Sequence, residues 1–192
     1  MSAAHAGSDL GPSGHYLSGM PLPVVGKAHE SPASPAFTWF VYGSSLDRDA
    51  FAAWAAEHGY AVPSFASSRP VTLRGFRLAF DVVSRHWGGA VASLMESDGD
   101  AVEGLAVPMP GAARGLVDHK EGAVSGLYQP EEVTVVHADG REEPALAYRA
   151  AASRRLASDA PPSPEYLHAL LRGARAAGLS AAWVQRLERL GG

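Results

Sequence analysis

Two short stretches of the chain carry groups suited to chemistry. The first is Val41-Tyr-Gly-Ser-Ser-Leu46, where an apolar strand runs into a tight turn and then a helix start near Asp47. Gly43 permits backbone angles that set successive N–H groups on one side. Ser44 and Ser45 add hydroxyls, and a helix start adds unpaired N–H groups at a positive dipole end. Such a junction can hold a carboxylate or polarise a carbonyl. A plain connecting turn has the same local sequence. The second stretch ends at Glu121, directly before Gly122, where the short helical run Leu116-Val-Asp-His-Lys-Glu121 closes. A carboxylate at the negative end of a helix is disfavoured by about 0.3–1 kcal/mol. That field, and burial, raise its pKa, which makes a glutamate a useful proton carrier near neutral pH. The bland alternative is a solvated Glu121 paired with Lys120.

Other candidates are weaker. Asp118 shares the same run, and Glu131 and Glu132 read as strand-edge charges. Ser44 or Ser45 would need a nearby histidine to act as a nucleophile. His86, His119, His137 and His168 qualify only by elimination, and His5, His15 and His29 are too scattered for a metal tract. The chain has no P-loop, no His-Glu-x-x-His and no Gly-x-Ser-x-Gly elbow.

The elements that must position these groups follow from periodicity. Residues 37–42 read as a strand. Asp47 is a suitable N-cap for a helix with Phe51, Trp54, Ala55 and His58 on one face, stopped by Gly59. Residues 60–70 are loop. Phe76, Leu78, Phe80 and Val82 alternate with polar or small residues in a strand over 71–83, with a bend or bulge at Gly75. After a close crossing at Trp87-Gly-Gly-Ala90, strands are expected over 90–95 and 101–108, joined by a turn at Asp98-Gly99. A short helix over 110–121 turns Ala113, Leu116 and Val117 inward. Strands over 128–137 and 144–150 flank a hairpin turn at Asp139-Gly140. A polar connection over 153–160 precedes a helix capped by Ser163, with Pro164 at its first position and Tyr166, Leu167, Leu170, Leu171 and Ala174 on its apolar stripe. Gly178 ends it, and a last helix from Ser180 turns Trp183, Val184, Leu187 and Leu190 inward. The pattern is α+β: a small, antiparallel-rich mixed β-barrel with flanking helices. Regular βαβ alternation is missing, which disfavours a doubly wound dinucleotide fold.

Composition sets the limits. The 192 residues, 46% hydrophobic and 19% charged, suit one folded domain, here expected over 37–192. Residues 1–36 are rich in Gly, Pro, Ser, Ala and His without periodicity and read as a disordered N-terminal extension. The net charge of -4 and the absence of a basic stripe argue against nucleic acid as a partner. No apolar run approaches the roughly 18 residues of a membrane helix. No signal-type segment opens the sequence, so a cytoplasmic location is expected. With no cysteine, thiolate nucleophiles, disulfides and cysteine-based zinc sites are excluded.

Taken in order, the motifs resemble the γ-glutamylcyclotransferases. The likeness runs through Val41-Tyr-Gly-Ser-Ser-Leu46, Leu73-Arg-Gly-Phe-Arg-Leu-Ala-Phe80, Trp87-Gly-Gly-Ala90 and Val102-Glu-Gly-Leu105. It continues through Asp118-His-Lys-Glu-Gly122 with Ser125-Gly-Leu-Tyr128, and Pro161-Pro-Ser-Pro-Glu-Tyr166 with Gly173-Ala174 and Gly178-Leu179. The resemblance implies a barrel-like α+β fold and a reaction without cofactor or metal. In it the α-amine of a γ-glutamyl group attacks its own γ-carbonyl and releases 5-oxoproline and an amine. It implies that Tyr42, Gly43, Ser44, Ser45 and Leu46 bind the γ-glutamyl portion, that Glu121 is the acid/base, and that Tyr128 is a pocket residue. The implied partner is a small-molecule γ-glutamyl substrate, with neither nucleic acid nor membrane, and a homodimer is left open.

Ser45 departs from the asparagine usual in that family. A carboxamide reaches further and offers two N–H donors where serine offers one hydroxyl. The departure bears on the substrate, and one version of the activity is removal of a protecting γ-glutamyl group from a biosynthetic intermediate. The competing reading is a non-catalytic binding or sensor module on the same fold.

Overall fold

The computed structural model describes residues 36–191. The extension expected over 1–36 lies, Ala36 apart, outside them. Five strands close a barrel in the order β1-β3-β2-β4-β5. They are β1 (Phe37–Val41), β2 (Arg69–Ser84), β3 (Gly89–Met109), β4 (Tyr128–His137) and β5 (Glu142–Ala150). Every neighbouring pair is antiparallel except β1 with β5, which meet in parallel at Trp39 and Leu146. Four helices flank the barrel: α1 (Arg48–Glu57), α2 (Arg114–Lys120), α3 (Pro164–Ala176) and α4 (Ala181–Glu188). The α+β barrel architecture is as the alternation of strands and inserted helices led one to expect.

Local signals account for the helix starts. The Asp47 side chain accepts the Ala50 N–H, Ser163 that of Tyr166 and Ser180 that of Trp183. Pro164 sits in the first turn of α3, where a missing N–H costs nothing. The apolar stripe of α3 is buried, and Leu170 is fully so. Burying one such side chain contributes about 1.5–3 kcal/mol. Gly173 lets α3 approach the chain at Leu46–Asp47: a Cβ there would stand 2.5 Å from the Asp47 nitrogen. The helix therefore supports the turn after β1 backbone to backbone.

β2 and β3 are longer than the barrel needs. β4 accompanies β2 only at Val71 and Thr72, and β1 accompanies β3 only from Leu105 to Met109. The rest of β2 and β3 is a two-stranded arm whose outer edges need other partners for their backbone groups. On the β2 edge the segment 151–160 supplies them. Leu156 N–H donates to the Asp81 carbonyl at 2.6 Å and Ala160 N–H to the Phe80 carbonyl at 2.8 Å. Arg155 pairs with the buried Asp81 carboxylate at 2.6 Å, which also accepts from Ser93. The polar connection of the sequence is therefore a strap laid along a sheet edge.

Three expectations are corrected. The strands over 90–95 and 101–108 are one continuous strand. Pairing passes from Arg74 with Ala101 to Phe76 with Glu96, so Ser97-Asp-Gly-Asp100 bulges out opposite Gly75 instead of reversing the chain. The bulge expected at Gly75 is present, with φ 77°. Leu190 is 40% exposed, because α4 stops at Glu188 and Arg189–Gly191 form a 3-10 turn. His58 is exposed and lies stacked on the half-buried Trp54, 4.3 Å between ring centres.

Candidate active site

The strand-turn-helix junction and the end of α2 meet. Ser44–Leu46 form a 3-10 turn between β1 and α1, and Glu121 is the C-terminal cap of α2, followed by Gly122 at φ 74°. The Ser45 hydroxyl donates to Glu121 Oε1 at 2.8 Å across 76 residues of chain. A pocket of about 220 Å³ opens over this contact. Tyr42, Gly43, Ser44, Ser45, Glu121 and Tyr128 all line it. Leu46 does not: it is fully buried beneath the turn, and its N–H closes the turn on the Gly43 carbonyl at 3.0 Å.

Gly43 has extended backbone, φ -103° and ψ -153°, and a Cβ there would meet the Tyr166 hydroxyl at an ordinary 3.4 Å. The special backbone angles expected of this glycine are therefore absent. The 3-10 turn orients the N–H groups instead, and it consumes two of them: Leu46 donates to Gly43 and Asp47 to Ser44.

Four tyrosines surround the carboxyl group, and their hydrogen bonds fix what each can offer. Tyr42 donates to the Tyr148 carbonyl, and Tyr148 donates to Asp118. Tyr128 donates to the Ala92 carbonyl at 2.6 Å, while the Ala92 N–H donates to the Tyr166 hydroxyl at 3.0 Å. Ala92 lies on the half of β3 that β1 does not accompany, so these two phenols satisfy backbone groups there. Tyr128 has spent its proton and retains lone pairs. Tyr166 accepts the Ala92 N–H and keeps its proton to give. Burial raises the pKa of Tyr42, Tyr128, Tyr148 and Tyr166, so all four stay neutral near pH 7.

Glu121 is the one carboxylate lining the pocket. Desolvation raises its pKa, opposed by the Ser45 hydrogen bond and by the charge of Lys120. Its position at the end of α2 acts in the same direction as burial. The arrangement is a poised acid/base beside neutral donors and acceptors of known direction.

The other sequence candidates fall elsewhere. His86 is exposed at the pocket wall, His119 faces Tyr60 at 3.1 Å, His137 pairs with Glu143 at 2.7 Å and His168 is exposed on α3. No histidine hydrogen-bonds Ser44 or Ser45 among the described residues, and the Ser45 proton goes to Glu121. Asp118 holds Tyr148 and Arg114; Glu131 pairs with Arg149 at 2.9 Å. No group of three potential metal ligands occurs among the described residues, and no helix of theirs is long and apolar enough to cross a membrane.

Sequence reasoning passed over Tyr166, Lys120, Trp54 and Trp87 as pocket residues. Tyr166 and Trp54 belong to apolar helix stripes and look like core. The one available signal was that Tyr166 closes the Pro161-Pro-Ser-Pro-Glu-Tyr166 motif.

Comparison with known proteins gives a consistent picture. Residues 101–187 match a model described as the AIG2-like family. The chain is 30% identical over 158 residues to a γ-glutamylcyclotransferase of Bos taurus, covering 80% of this chain and 78% of that protein. It is 29% identical over 163 residues to the γ-glutamylcyclotransferase of Homo sapiens, covering 83% and 81%. A solved structure of a γ-glutamyl cyclotransferase superposes with a TM-score of 0.67 at 27% identity, covering 80% of this chain and 86% of that one.

Proposed function

The chain belongs to the γ-glutamylcyclotransferase family and is an enzyme of that type, and we propose that Glu121 and the turn after β1 are its working parts. The substrate in this reading is a γ-glutamyl amino acid, peptide or amine. Its α-nitrogen attacks the γ-carbonyl carbon, a C–N bond forms, and the amide C–N bond to the amine half breaks. The products are 5-oxoproline and a free amine. No water is consumed.

The proton traffic suits Glu121. The α-nitrogen arrives as an ammonium and ends as a lactam N–H, so it sheds two protons. The departing amide nitrogen gains two and leaves as an ammonium. Glu121 takes each proton from one nitrogen and returns it to the other, a task that needs a pKa raised toward neutrality. Because nucleophile and electrophile are tethered, the site has only to hold the cyclising conformer. Tyr128, with its proton committed to Ala92, accepts from the α-nitrogen. The Tyr166 hydroxyl and the Ser45 amide N–H are the donors for the oxyanion of the tetrahedral intermediate.

The observation that carries the reading is the 2.8 Å Ser45–Glu121 contact, which unites two separate motifs in one pocket. The half-buried rings of Trp54 and Trp87 line the same pocket, and in this reading the amine half lies against them. That accommodates the version in which the enzyme strips a protecting γ-glutamyl group from a biosynthetic intermediate. The test is incubation with a set of γ-glutamyl amino acids and amines, with mass detection of products. 5-Oxoproline is expected, and its release should collapse in Glu121→Gln. Release of glutamate would mean hydrolysis, and undiminished 5-oxoproline from Glu121→Gln would remove the acid/base assignment.

A further inference from the structure

Lys120 closes α2 next to Glu121, and its half-buried side chain forms part of the pocket wall. Its ammonium lies 4.9 Å from the centre of the Trp54 ring, which itself lines the pocket. It is the one lysine or arginine among the lining residues. No hydrogen bond or salt bridge reaches it from any described residue. The two carboxylates that act on it through space are both engaged elsewhere. Glu121 accepts from Ser45, and Asp47 pairs with Arg172 while capping α1. Burial draws the Lys120 pKa downward, against the pull of those two carboxylates.

A cation so placed, in a wall that otherwise presents phenols, indoles, serine hydroxyls, the exposed His86 and one carboxylate, calls for an anion from the ligand. The turn after β1 offers no side-chain charge to meet that anion. Two of its amides, those of Leu46 and Asp47, are spent closing the turn. The chemistry of an α-amino acid head group fits the pair Lys120 and Glu121: a carboxylate and an ammonium on one carbon, opposite a cation and an anion on adjacent residues. We propose that Lys120 binds a carboxylate of the substrate. This rests on the γ-glutamyl reading above, which offers two such groups: the α-carboxylate of the glutamyl portion and a carboxylate on the amine half.

The test compares γ-glutamylalanine, which has both carboxylates, with γ-glutamylethylamide, which lacks the one on the amine half, and with γ-glutamylalanine amidated at its α-carboxyl. Each is assayed with the unaltered enzyme, Lys120→Met and Lys120→Arg. Methionine keeps an apolar stem against Trp54 and removes the charge. Lys120 also lowers the proton affinity of Glu121, so kinetics are taken at a pH where activity has reached its plateau. Loss of a hydrogen bond to a charged group is expected to raise KM for γ-glutamylalanine about 10- to 100-fold in Lys120→Met, with the effect on KM rather than kcat. Lys120→Arg should restore most of it. If the α-carboxylate is held, γ-glutamylethylamide suffers the same loss; if the other is held, it does not, and either result supports the assignment. Equal KM for all compounds in the unaltered enzyme and Lys120→Met overturns it.

Calorimetric binding of the three compounds to Glu121→Gln, with lysine or methionine at position 120, gives the same answer without turnover. Should Lys120→Met fail to fold, the unaltered enzyme still decides. Equal affinity for the parent compound and both analogues refutes the proposal. Absence of 5-oxoproline from the unaltered enzyme would refute the γ-glutamyl reading, while the binding comparison would still judge Lys120.

Discussion

Replacing Ser45 with alanine removes one hydrogen bond and leaves the rest of the pocket in place. The Ser45 hydroxyl donates to Glu121 Oε1 at 2.8 Å and is one of two influences that oppose the burial of that carboxyl; Lys120 is the other. A hydrogen bond to an ionised group is worth about 1.5–3 kcal/mol. The pocket admits solvent, so the lower end applies. About 1.4 kcal/mol is a tenfold change in proton affinity. Without Ser45 the protonated form of Glu121 gains by that amount. Since Glu121 must be ionised to accept the first proton, the acid limb of the kcat/KM profile should move to higher pH by about one. On that limb the variant should be about tenfold slower at a fixed pH, and the two profiles should converge on the plateau. The assay is 5-oxoproline release across the pH range, with a melting curve to establish that the variant is folded. Ser45→Asn, which supplies N–H donors at the same place, should return the limb toward its original position. An unmoved limb with activity lowered equally at every pH would refute this reasoning and make Ser45 a substrate contact instead.

The remaining predictions concern stability as well as activity. Glu121→Gln should lower kcat about 10²- to 10⁴-fold. It should also raise the melting temperature near neutral pH. The folded protein holds the Glu121 proton more tightly than the unfolded chain, so stability falls as pH rises from the ordinary carboxyl value of 4.5 through the higher folded value. A melting temperature unaffected by the substitution at pH 8 would contradict the burial argument. Arg155→Ala strands the Asp81 carboxylate, which is 1% exposed, and should cost about 3–5 kcal/mol in denaturant unfolding. Asp81→Asn combined with Arg155→Met should recover much of that loss. Gly173→Ala drives a methyl to 2.5 Å from the Asp47 nitrogen and should cost about 1–3 kcal/mol, with KM raised because α3 supports the turn that lines the pocket.

Much of the fold was legible because its signals are local. Asp47, Ser163 and Ser180 cap helices within three residues of themselves, and Pro164 marks the start of α3. Glu121 could be singled out for the same reason: a carboxylate before Gly122 at a helix end is a statement about adjacent residues. What stayed hidden depends on register between distant segments. The Ser45–Glu121 contact spans 76 residues and Arg155–Asp81 spans 74, and no spacing rule announces either. Asp98-Gly99 has the composition of a reversing turn, yet pairing on both sides of it keeps the strand continuous and expels it as a bulge. Tyr166 looks like core because it is core, 2% exposed, and it lines the pocket as well.

On the stretch of β3 that β1 does not accompany, the phenols of Tyr128 and Tyr166 take up the carbonyl and amide of the buried Ala92. A buried backbone group left without a partner costs free energy, so these two hydrogen bonds serve the fold whatever the pocket does. Removing both hydroxyls would destabilise the protein before any change in turnover was measured. A relative that had abandoned the reaction would still need them, so their presence says little about activity. Glu121 is different: ionised within the protein, it weakens the fold. A chain released from catalysis would gain by discarding it, which makes that single carboxylate the more informative mark of a working enzyme.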